Sequence, residues 1–348
     1  MKYLKKFSIL ESRGISNVSL IYLDVILPKF SSRIKRFVKS SEKSEEFVEI
    51  ITKSNLTDKM SNPEWWKMPV STIEINFNFT KISNDEFSKK YPKTSKVYNF
   101  NATGACYNIS DVNDGQSYII KDGDQESIYL KMELGAIINE DKFTESNIEQ
   151  LLIVIEGTLS HELNHAYESI QRKHSKKTNI PVELTHALDV NRSKIYKQIW
   201  TKWLDEIGYY IYSSELHEIN ASVQESWPYV KKYSPEEMMK LSPVWRIANE
   251  MENFNSNNFR KEIIKMINDR YKGSVDPLIL LNRLKNGLAN EMIESESKMI
   301  EGDQDKPSIL GKKIKKMTLD RFFSVVEKRI NLAGSKLKKK ILKLYSLK

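Results

Sequence analysis

The chain is expected to fold as an α+β protein, with a small, mostly antiparallel sheet packed on one long helix and a predominantly helical C-terminal part. Three observations carry that expectation. TIEINFNFT (72–80) alternates apolar and polar residues with the period of a half-buried strand. TESNIEQLLIVIEGTLSHELNHAYESIQRK (144–173) holds a near-continuous apolar run and is too long for a strand. Beyond Ser234 the segments read as helices, punctuated by Gly273, Pro277 and the acidic EGDQDKP at 301–307.

With 348 residues, 40% of them hydrophobic, the chain has enough apolar material for one large or two modest cores. Residues 1–60 read as a mainly helical, basic N-terminal segment, in which Pro28 divides an apolar stretch from SSRIKRFVK. Residues 61–232 read as the domain that carries chemistry. In it ATGACYNI (102–109) and SIYLKMEL (127–134) join 72–80 as strands around the turn-rich DVNDGQ and KDGDQ. The long helix opens on a capping-box pattern, Ser146 with Glu149. Gly157 in its interior costs about 1 kcal/mol relative to Ala, so either another backbone approaches closely there or the glycine is merely tolerated. Residues 183–230 read as further helices, and 233–348 as a helical region with a basic tail. Trp65 and Trp66 read as packing or cleft residues, and His174 as an exposed residue of a loop-like stretch.

The net charge of +9 is uneven. Residues 1–39 hold nine Lys/Arg against two acids and residues 306–348 hold fourteen against two, which leaves the body between them at −10. Such basic termini suit an anionic partner or a larger assembly, or are solvated lysine-rich faces. The lone Cys106 excludes an intrachain disulfide and reads as a small buried apolar residue. The apolar runs LLIVI (151–155) and VSLIYLDVIL (18–27) fall short of the roughly 20 residues that span a bilayer, and MKYLKKFSILESR lacks a signal-peptide core. A soluble, cytoplasmic protein is expected.

Inside the long helix, His161-Glu162-Leu163-Asn164-His165 sets two histidines four residues apart. Their Cβ atoms then stand about 5–6 Å apart on one face, so both can hold one Zn²⁺ while Glu162 projects beside it as a general base. The plainer alternative is a pair of helix histidines satisfied by neighbouring carboxylates. A catalytic zinc site needs a third protein ligand and an open position. A histidine six residues after His165 would give the metzincin pattern, but that position is Gln171. Downstream, ELHEINASVQE offers Glu215, His217, Glu218 and Glu225. Glu168 and Glu225 read as surface residues or as supports for a ligand.

HELNH followed by Glu218-Ile219-Asn220-Ala221, with 52 residues between His165 and Glu218, resembles the gluzincin superfamily of zinc metallopeptidases. There HExxH is followed on a second helix by a glutamate ligand and, three positions on, a small residue. The resemblance covers roughly residues 100–230. It implies a zincin-like fold, Zn²⁺ held by His161, His165 and Glu218, and a small Ala221 that lets the two helices pack closely. His217 is the second choice as ligand, since it points about 100° away around the helix. The thermolysin branch carries an aspartate four residues beyond its glutamate ligand to orient a histidine. Here that residue is Ser222, so support is expected from Ser222, Asn220 or a backbone carbonyl.

The implied activity is an endopeptidase in which Glu162 accepts a proton from water and returns it to the leaving amine. The oxyanion donor stays open among Tyr209, Tyr210, Tyr212, Tyr229 and His186. ATGACYNI is expected either at a sheet edge that holds an extended peptide or as an interior strand. A different reading is a non-catalytic binding or structural protein that keeps a zincin-like domain and attaches through its basic arms. MKYLKKFSILES resembles leaders of proteins of large tailed phages, which would make such a protein virion-associated. A structural zinc site without turnover is a third reading.

Overall fold

Five strands, β1 (Ser44–Thr52), β2 (Val70–Ile82), β3 (Phe100–Asn108), β4 (Ile119–Asp122) and β5 (Gln125–Asn139), form one sheet of order β1-β2-β5-β3, with β4 also beside β5. The pairs β1–β2, β3–β5 and β4–β5 are antiparallel and β2–β5 is parallel. The computed structural model describes residues 17–52, 70–92, 94–108, 119–122, 125–175, 194–298 and 309–346. The α+β expectation and its mostly antiparallel sheet agree with this architecture.

Alternation builds the sheet's inner face. Ile75, Phe77 and Phe79 of β2 and Met132, Leu134, Ala136 and Ile138 of β5 are all buried. Two helices cover them: α1 (Asn17–Lys39), through Phe30, Ile34 and Phe37, and α3 (Glu145–Ser175), through Leu151, Ile155 and Leu159. The short α2 (Asn84–Lys90) lies between β2 and β3 in the chain. Phe30 meets the rings of Phe77 and Phe79, each at 5.1 Å between centroids. Each such fully buried phenylalanine contributes on the order of 1.5–3 kcal/mol.

Four expectations are corrected here. Pro28 does not divide the first helix, because α1 runs unbroken through it while Phe30, Ile34 and Phe37 anchor the following turns. Residues 44–52 are strand and not helix, since SEEFVEIIT pairs along its whole length with β2 and stacks Phe47 on Phe77 at 4.7 Å. The cap of α3 is Thr144 with Asn147, whose side chain accepts from the Thr144 N–H at 2.9 Å, while Glu149 pairs with Lys232 instead. His174 belongs to the last turn of α3, although its side chain lies outside the described residues, as do Trp65, Trp66, His186 and the side chains of Cys106 and Glu168.

The chain forms two compact units. One comprises residues up to 177 together with 220–242 and 343–348. The other comprises 178–219 and 243–342. The first holds the sheet, α1 to α3, most of α6 (Leu216–Lys232) and α7 (Pro235–Leu241).

The second unit is helical: α4 (Lys194–Trp203), a π-helical turn at Leu204–Gly208, α5 (Tyr209–Ser213), the start of α6, then α8 (Pro243–Glu252), α9 (Ser256–Tyr271), α10 (Pro277–Lys298), α11 (Ile309–Lys316) and most of α12 (Leu319–Tyr345). Trp203 explains why 178–219 groups with the later helices. It is fully buried, with ring centroids 5.7 Å from Phe259 and 5.9 Å from both Phe322 and Phe323. Helix α12 lies so close to α8 that a Cβ on Gly334 would stand 2.4 Å from the Glu252 nitrogen. Among the described residues, no helix is long and apolar enough to cross a membrane.

Candidate metal centre

Helix α3 presents two neighbouring faces around the HELNH pentapeptide. On one, β3 comes so near that a Cβ on Gly104 would stand 2.4 Å from Thr158 Cγ2 and 3.3 Å from Glu162 Cγ. Thr158 and Glu162 are four residues apart and so line the same stripe of the helix. Glu162 is buried, at 8% exposure. Among the described strands, β3 ends the β1-β2-β5-β3 order, so ATGACYNI is an edge strand that runs beside the general-base candidate.

On the other face lies α6. Lys232 pairs with Glu149, Lys231 Nζ with Glu156 Oε1 at 2.6 Å, and Glu225 meets both Gly157 and His161. As α6 is followed backward from 232, α3 is followed forward from 149, so the two helices are antiparallel. A Cβ on Gly157 would fall 2.6 Å from the carbonyl oxygen of Glu225. The glycine is therefore required by a close backbone approach and is not merely tolerated. Ala221, fully buried, is the small residue on the α6 side.

This approach brings His161 Nδ1 to 3.1 Å from Glu225 Oε2. A carboxylate only accepts, so Nδ1 donates, and the neutral ring then carries its lone pair on Nε2. Glu225 is thus a hydrogen-bond partner of His161. Ser222, four beyond Glu218, gives its carbonyl to Ser226 Oγ at 2.9 Å. Of the two expectations for Glu225, a surface residue or a support for a ligand, the contact with His161 agrees with the second, and Glu225 shares one helical stripe with Glu218, Ala221 and Ser222.

Glu218 occupies the first turn of α6 and is 3% exposed. Glu215 is drawn away by Arg329, whose Nε also donates to Ser214 Oγ at 2.6 Å, so it is an ordinary ion pair. The side chains of His165 and His217 lie outside the described residues. Among the described residues, which do not include the His165 side chain, no three His, Cys, Asp or Glu side chains form a metal-sized group.

Asn164, three residues after His161, is 1% exposed, and neither atom of its amide has a hydrogen-bond partner among the described residues. Leaving a buried amide in that state costs about 1–3 kcal/mol. Among the candidate oxyanion donors, Tyr210 donates to Glu250 Oε2 at 3.0 Å, and burial with that carboxylate pushes its phenol well above the usual range. Tyr229 is raised by burial first and then by Tyr98. It stands one turn beyond Glu225, on the side away from Glu218. Tyr209 is exposed. Comparison with known proteins finds no family model, no curated protein and no solved structure that matches this chain.

Proposed function

We propose that the protein is a zinc-dependent metallopeptidase of gluzincin type, with His161, His165 and Glu218 as metal ligands and Glu162 as general base. The observation that carries the reading is the His161–Glu225 hydrogen bond at 3.1 Å, set by the Gly157 approach of α6 to α3. A histidine that donates one ring nitrogen to a carboxylate is held in the tautomer and orientation that suit metal ligation by the other. Glu218 stands on the same stripe of α6, two turns before Glu225, and a buried carboxylate at that position needs a cation or strong donors to offset its desolvation.

Bound zinc supplies Lewis acidity, which polarises a carbonyl and brings water within reach of deprotonation near neutral pH. The chain's own residues do the rest. Glu162, buried beside β3, takes the proton of the attacking water and delivers it to the leaving amine. Glu225 holds the His161 ring still. The edge of β3, which has no further strand beside it among the described residues, would offer backbone N–H and C=O groups to an extended peptide laid along Glu162 by strand addition.

The test uses the full chain loaded with zinc. Metal content by mass spectrometry and cleavage of a mixed peptide library are measured for the wild type and for Glu162→Gln. The variant should keep about one zinc per chain and lose cleavage by roughly 10²–10⁴-fold. A zinc-loaded wild type that cleaves no library peptide refutes the peptidase reading, and so does a Glu162→Gln variant of undiminished activity.

A further inference from the structure

Helix α12 carries the most uneven charge of any described element, and the structure shows how its few acids are used. From 309 to 346 the chain holds twelve Lys/Arg and two acids. Both acids are committed within the helical unit. Asp320 accepts from Arg260 Nη1 at 2.6 Å, and Glu327 accepts from the Ser256 backbone N–H at 2.9 Å. Two of the bases are also committed, Arg329 to Glu215 and Lys338 to Glu252. Of the remaining bases of α12, Arg321, Lys328, Lys336, Lys339 and Lys343 are exposed, and the first four, with Val325 and Leu332 between them, form one outward row. These positions are three, four or seven apart and therefore share one stripe of the helix, about 27 Å long. Among the described residues no ion pair joins any of the four to a carboxylate, although Glu252, paired with Lys338, also feels the charge of Lys339. Helix α11 adds exposed Lys312, Lys313, Lys315 and Lys316 just ahead of this row.

We infer that this outer face of α12 binds the phosphate backbone of nucleic acid. Four outward cations on one helical line match a polyanion whose charges repeat along its axis. A membrane surface fits less well. An interfacial helix inserts its apolar face among the lipids, whereas Phe322, Val326, Ile330 and Leu337 of α12 are buried in the protein. Val325, Leu332 and Leu342 project outward singly, and the row carries no aromatic side chain. With no ring to stack on bases, the contacts are to phosphates and binding is independent of base sequence. This function is separate from peptide hydrolysis and does not rest on it.

Fluorescence anisotropy of a labelled DNA duplex with the full chain, between 50 and 200 mM salt, tests the inference. Four phosphate contacts give a log–log salt slope near −3.6, an affinity loss on the order of 10²-fold over that range. The variant Lys328→Gln/Lys336→Gln/Lys339→Gln, shown folded by circular dichroism, should lower the steepness of that slope by about 2.7. Absence of binding at 50 mM salt overturns the inference. Unchanged binding by the triple variant also overturns it and assigns the affinity to another basic segment. Tighter association with phosphatidylserine vesicles or with polyglutamate than with DNA overturns it in favour of a membrane or an acidic protein.

Discussion

Replacing Gly157 by alanine sets two known effects against each other at one atom. In an isolated helix the change is favourable by about 1 kcal/mol, because alanine loses less backbone freedom. In this protein the new Cβ would lie 2.6 Å from the Glu225 carbonyl oxygen and 3.2 Å from its Cγ. To regain ordinary van der Waals separation, α6 must retreat by roughly 0.8 Å. Overpacking of this kind costs about 1–3 kcal/mol, so the net change runs from about zero to 2 kcal/mol of destabilisation. The same retreat stretches the 3.1 Å contact of His161 with Glu225 beyond hydrogen-bonding range. Loss of such support for a ligating histidine lowers metal affinity about 10–100-fold. Urea unfolding gives the first quantity, and zinc titration against a competing chelator gives the second. A Gly157→Ala protein that is about 1 kcal/mol more stable than the wild type and binds zinc equally well would refute the close approach and the role assigned to it.

Glu225→Ala should weaken zinc binding about 10–100-fold without the packing cost, and an unchanged chelator competition would show that the pair is not a ligand support. Gly104→Ala should destabilise the sheet unit by about 1–3 kcal/mol, because its Cβ meets Thr158 Cγ2 at 2.4 Å, and Thr158→Ala should restore most of that loss in urea unfolding. Asn164→Leu removes a buried amide that lacks partners among the described residues, so unfolding should show equal or greater stability. A marked loss there would mean the amide is satisfied in solution.

How much of the site could be read in advance varies with the range of the interaction. The spacing of His161 and His165, the place of Glu162 beside them and the glycine at 157 all lie within one helix, where 3.6 residues per turn dictates what shares a face. Alternation assigns inward and outward residues but not neighbours, so it does not decide between an edge and an interior place for ATGACYNI. Sequence offers Glu225 as a support for a ligand but does not say which histidine it meets. Which turn of α6 meets His161 depends on how far the two helices slide past each other. That is set by Gly157 against Glu225 and by pairs such as Lys231 with Glu156, whose members are 75 residues apart in sequence.

The same division runs through the fold. Local pattern alone determined the α+β class, the extents of β2 and β5 to within a few residues, the long helix α3, and the confinement of the basic surplus to the two ends. These follow from periodicity and composition, which need no knowledge of partners. Tertiary structure decided that 44–52 is a strand, because its place is taken by pairing with β2. It decided that α1 passes through Pro28, because Phe30 and Phe37 are held from outside the helix. It also decided that 178–219 joins the later helices, since Trp203 finds its aromatic neighbours there. Each is a case in which contacts distant in sequence outweigh a local preference of about 1–3 kcal/mol.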